Sequence, residues 1–197
     1  MDRTSRGWKL LASAAAFGLV CGALALPGCA PYANYPARGE DDPAINDPNI
    51  IPAPDVIEVS LARVLKSWPV EGDFVINLPQ GMSRRRAEEV LRRLDNPHAH
   101  LVSLETSGLP AYHVTRVWIR PGARAQVEIL RPVFGIGGRD EAALFQPVTV
   151  KLRRSPIEAW QIDAVRVWPI GQAEVPELYG WPEPGQAPAA PAKDQDR

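Results

Sequence analysis

Proline decides which parts of this chain can fold. It recurs every few residues from Ala30 to Pro54 and again from Pro169 to Pro191, with no apolar periodicity between. Such stretches bury too little surface to offset the entropy lost on ordering them. The expected organisation is a leader over 1–28, a disordered tether over 29–54, a globular body over 55–171 and a disordered tail over 172–197. The body carries 16 basic and 13 acidic residues, and each flank has three more acids than bases. The net charge of −1 exerts no long-range pull on nucleic acid, so no nucleic-acid partner is expected.

The leader has three parts. Arg3, Arg6 and Lys9 are followed by an uncharged apolar stretch from Leu10 to Leu26, then by small residues and a cysteine. This is the composition of an export signal, and the apolar stretch is short of the ~20 residues of a membrane span. Leu26-Pro27-Gly28-Cys29 resembles the lipobox of bacterial lipoproteins, with Pro27 where Ala, Ser or Thr is common. The resemblance implies that Cys29 becomes the first residue of the mature chain and carries acyl groups. It also implies a lipid anchor in the membrane, and Ala30 in place of an aspartate points to the outer membrane. Cys21 would leave with the leader, so no disulfide is expected. Tyr32 and Tyr35 would lie at the membrane interface or in a plain loop.

Within the body, Ile57, Leu61, Val64, Leu65 and Trp68 share one helical face, with Asp55 as the expected cap and Pro69 as the stop. Asp73 to Leu78 is β-prone. Ser83 to Asp95 predicts a second helix with Ala87, Val90, Leu91 and Leu94 inward. On its outer face Arg84–Glu88, Arg85–Glu89, Glu88–Arg92 and Glu89–Arg93 are spaced to pair. His100 to Leu104 is a possible short strand.

Ala111–Arg120 and Ala123–Val133 form a hairpin. An even loop around Pro121-Gly122 would place Tyr112, Val114, Arg116 and Trp118 on the same side as Ala125, Val127 and Ile129. Strands follow at Gln146–Arg154 and Ala159–Trp168, the second switching apolar phase at Val165, as a bulge or a strand covered on both faces would do. The expected fold is α+β, with two helices on one face of a four- to six-stranded, mainly antiparallel sheet. Val148 to Leu152, a polar turn and the strand opening at Trp160 are similar to the last strands of the NTF2-like, cystatin-related fold. Members of that fold include enzymes, ligand binders and interaction modules, so the resemblance leaves the activity open.

Several residues are weighed as sites. Arg84, Arg85 and Arg86 open a helix, where cations oppose the macrodipole unless an anion or the following glutamates offset them. His98 and His100, with His113, could supply imidazoles, but no matching acid or cysteine lies at local spacing. They are read as loop histidines, and His113 as a solvent-facing strand residue; no metal or cofactor is expected. Gly135-Ile136-Gly137-Gly138 lacks the context of a phosphate loop and is read as a loop held by Phe134 and Phe145. No catalytic triad or carboxylate pair emerges. The leading expectation is a non-catalytic module for another envelope protein or polymer. The alternative is a small-molecule-binding or hydrolytic cavity between helices and sheet, near His113, Trp118 and Trp160.

Overall fold

The computed structural model describes residues 33–37, 39, 44–134, 144–155, 157–171 and 173–181. The elements are β1 (Ala33–Tyr35), α1 (Ala53–Ser67), β2 (Phe74–Asn77), α2 (Arg84–Leu94), β3 (Ala99–Leu101), β4 (Ala111–Arg120), β5 (Arg124–Val133), β6 (Leu144–Arg153) and β7 (Gln161–Val167). The class is α+β. The sheet has seven strands, one more than the upper expectation, in the order β3-β2-β4-β5-β6-β7, with β1 added to β4. It is antiparallel except around β2, which runs parallel to both β3 and β4. A parallel neighbour needs a crossover, and α2 supplies it between β2 and β3.

Helix α1 begins two residues before the expected cap. Pro54 sits in its first turn, where a missing N–H costs nothing. Asp55 does not cap. It accepts from Arg93 of α2 at 2.7 Å and so ties the two helices together. The helix buries Val56, Ile57, Leu61, Val64 and Leu65 against α2 and strands β4 to β7. One core joins them to Phe74 and Ile76 of β2 and to the inward residues of β4, β5 and β6. On the other face of β2, Val75 packs with Val102, Leu109 and Ala111. The β3–β4 connection thus covers β2, which explains why all four of its residues are buried.

The hairpin register differs from the expectation. Arg120 pairs with Arg124 across an odd, three-residue loop, with Gly122 at φ 82° and Ala123 at φ 54°. Trp118 therefore lies opposite Gln126, on the outer face, and Val117 and Ile119 enter the core. A bulge between Val114 and Arg116 switches the phase, so Tyr112 and Val114 also point inward. Arg116 is consequently outside, 3.0 Å from Glu128 and over the Trp118 ring at 4.7 Å. The β-branched Val117 and Ile119, not the Trp118 ring, fill the core at this end of the hairpin. The β7 phase switch does coincide with a bulge, where Lys151 opposes Ala164 and Leu152 opposes Ile162.

The 29–54 and 172–197 boundaries need correction. Strand β1 pairs Ala33, Asn34 and Tyr35 with Ile119, Trp118 and Val117. Ahead of α1, Asn49 accepts from Ser83 N and donates to Gly81 O. Residues 173–181 form no helix or strand but contact the body through Asn77 and Met82. A three-residue strand is too short to show alternation, and a tail held by side chains needs no periodicity.

Candidate binding site

Strand β4 has one edge covered by β5. Its other edge is shared: β2 pairs with Ala111–His113 and β1 with Val117–Ile119. Among the described residues no strand pairs with this edge at Val114–Arg116. A cleft of about 550 Å³ opens there, lined by Tyr35, Asn77, Gln80, Thr115, Glu177 and Tyr179 among others. The volume is within the range of small-ligand sites. Thr115 at the bulge donates its hydroxyl to Glu128 O at 3.2 Å, turning that side chain into the hairpin.

One wall is the chain's own C-terminal segment, and Asn77 holds it. Asn77 Oδ1 accepts from Tyr179 N at 2.9 Å, and Nδ2 donates to Glu177 O at 2.9 Å. The amide thus reads the backbone on both sides of Leu178, as a neighbouring strand would. Its other proton faces His113 Nδ1 at 3.0 Å. The amide donates, so Nδ1 accepts and the imidazole proton lies on Nε2. Farther on, Trp181 Nε1 donates to Met82 O at 2.8 Å, and the Tyr179 and Trp181 rings meet edge to face. A Cβ at Gly180 would stand 3.3 Å from Val102 O, so the position favours glycine. Burial raises the Tyr35 phenol above its usual range, and the neighbouring Tyr179 adds to this.

The Asn77 amide leads to a direct expectation. Asn77→Ala removes three hydrogen bonds, one of them fully buried, and should cost about 1–3 kcal/mol. The readout is limited proteolysis: cleavage near 173–181 should accelerate while the core survives. Unchanged protection would show that the aromatic contacts alone hold the segment.

The sequence-derived candidates are scattered. His113 is 2% exposed, not solvent-facing; its ring abuts Phe145 edge to face at 5.1 Å. Burial lowers its pKa to about 4, so it is neutral at ordinary pH. Trp160 is buried in the core, and Trp118 lines a separate outer-face cleft with Arg120, Arg124, Lys151 and Arg153. The space between α1 and the sheet is filled by core side chains. His98 and His100 lie 2.9 and 3.5 Å from Asp73, the acid that local spacing did not reveal. The His98 and His100 hydrogen bonds hold the Asp73 carboxyl below its usual range. Among the described residues no three His, Cys, Asp or Glu side chains are grouped to hold a metal.

At the start of α2, Ser83 Oγ accepts from Arg86 N, Arg84 pairs with Glu88 at 3.0 Å and Arg86 with Glu89 at 2.8 Å. Arg93 also meets Glu89. Glutamates therefore answer two of the three arginines; Arg85 is exposed and forms no ion pair among the described residues. Phe134 is 57% exposed, whereas Phe145 packs on His113. The glycine-rich stretch, Cys29 and Tyr32 lie outside the described residues.

The cleft presents a strand edge that no described strand covers, two phenols and carboxylates, while the Asn77 amide is committed to His113, Glu177 and Tyr179. His113 sits behind Asn77 with its acceptor nitrogen occupied, a poor position for a general base. No family model matches the chain, and no curated protein or solved structure matches it.

Proposed function

We propose that this chain is a lipid-anchored cell-envelope protein whose domain binds another envelope component without catalysis. Its anchor is acylated Cys29, in a membrane that faces the periplasm. Several acyl chains make a durable attachment, at ~0.8 kcal/mol per buried CH₂. The observation that carries the binding role is the β4 edge cleft, where no described strand pairs with the edge at Val114–Arg116. Strand edges take extended segments by backbone hydrogen bonding, and at the rim of the cleft the Asn77 side-chain amide holds the backbone of residues 177–179.

The anchor is tested by Cys29→Ala. The variant should lose all acyl mass and accumulate with its leader attached, whereas the natural chain partitions into detergent as a shortened, acylated form. Normal processing of the variant to the mature length would contradict the reading.

A further inference from the structure

The outer face of the sheet carries two cross-strand rows near the β4–β5 loop. Arg120 stands directly opposite Arg124, and Arg124 directly opposite Arg153. In the next row Trp118 faces Gln126, and Gln126 faces Lys151. Like charges directly opposite each other destabilise a sheet. The four cations are exposed, and the cleft of about 410 Å³ between them contains one carboxylate, Asp163, 3.8 Å from Arg153. The Trp118 ring lies between two guanidiniums, at 4.7 Å from Arg116 and 6.0 Å from Arg120. A basic row with a tryptophan set among it matches a headgroup layer: cations meet phosphates and the indole favours the interface.

The chain's connectivity selects the occupant. Strand β1 is antiparallel to β4 with Ala33 opposite Ile119, so the chain enters the sheet from the Arg120 end. Only Ala30, Pro31 and Tyr32 separate Cys29 from Ala33. Four peptide steps reach at most ~14 Å. We infer that Trp118, Arg120, Arg124, Lys151 and Arg153 form a membrane-docking face that binds the anionic phospholipid headgroups around the anchor. The inference rests on the proposed acylation of Cys29 for its geometry.

The test uses the mature protein isolated from its own envelope. It is reconstituted into vesicles of phosphatidylcholine alone or with phosphatidylglycerol, and arginine modification by phenylglyoxal is mapped by mass spectrometry. Each cation near an anionic surface strengthens association about five-fold. Labelling of Arg120, Arg124 and Arg153 should fall about ten-fold in the phosphatidylglycerol vesicles. High salt should restore it, and Arg85 should be labelled equally throughout. A variant combining Arg120→Glu, Arg124→Glu and Arg153→Glu should stay anchored, keep its urea midpoint and lose the composition-dependent protection of Lys151 from acetylation. Equal labelling in both vesicle types, with the protein still anchored, would overturn the docking face and leave the anchor standing. Protection by inorganic phosphate with no vesicle effect would assign the row to a soluble anion and also overturn it. If the amino terminus carries no acyl group, the anchor reading fails. Selective sedimentation with anionic vesicles would then still support the face, and its absence would overturn it.

Discussion

Lowering the pH from neutrality toward 4 should remove about 3 kcal/mol of folding stability through His113 alone. The sign follows from where the proton binds. Burial depresses the folded-state pKa from 6.5 to about 4, so below 6.5 the unfolded chain takes up a proton that the folded chain refuses. The loss begins near 6.5, grows as pH falls and levels off below about 4. The geometry gives the same direction, because a protonated Nδ1 would confront the Asn77 amide protons. Asn77 cannot rotate to offer its oxygen without releasing Glu177 and Tyr179. Acid should therefore loosen the C-terminal segment before the core unfolds. Urea titrations across this range, compared with His113→Gln, measure the effect. The variant should show a flatter dependence, and a natural chain equally stable at both ends of the range would contradict it.

Tyr112→Ala should be among the most damaging single substitutions in the core. The side chain is fully buried, its ring meets Phe74 edge to face at 5.3 Å, and its hydroxyl donates to Trp68 O at 2.7 Å. That bond ties β4 to the residue closing α1. Burial pushes the phenol up to about 12, so the hydroxyl remains a donor at working pH. Truncation leaves a large cavity and an unpaired carbonyl, at a cost of about 3–5 kcal/mol. A domain's total stability is only about 5–15 kcal/mol, so the variant should be marginally folded. Tyr112→Phe should cost about 1 kcal/mol, the hydrogen bond without the cavity. A loss below about 1 kcal/mol for Tyr112→Ala would mean that the core relaxes around the gap.

Both effects depend on features that the sequence reveals unevenly. The helices and the four long strands are legible because their apolar periods run for two turns or more, or alternate over several residues. The hairpin register was not legible. A positive φ at Ala123 and a bulge at Thr115 set it, and neither residue type announces that conformation. An even loop at Pro121-Gly122 would turn Trp118 inward, whereas the odd loop sets it on the outer face among arginines, which gives it a place in the docking surface. The Asn77 hold on residues 177–179 was hidden for another reason. Asn77 and Tyr179 are 102 positions apart, and nothing local marks an asparagine at a strand end as a backbone clamp. Tyr179 and Trp181, aromatic residues at alternate positions in a proline-rich tail, are the signal that could have found it.

The docking face, the cleft and the short link from Cys29 to β1 all gain their meaning from the anchor. The decisive measurement is the mass of the amino-terminal peptide of the mature protein, recovered from its own envelope. The account predicts a peptide that begins at Cys29 and carries acyl groups on it. A peptide that begins elsewhere, or an unmodified Cys29, would contradict it.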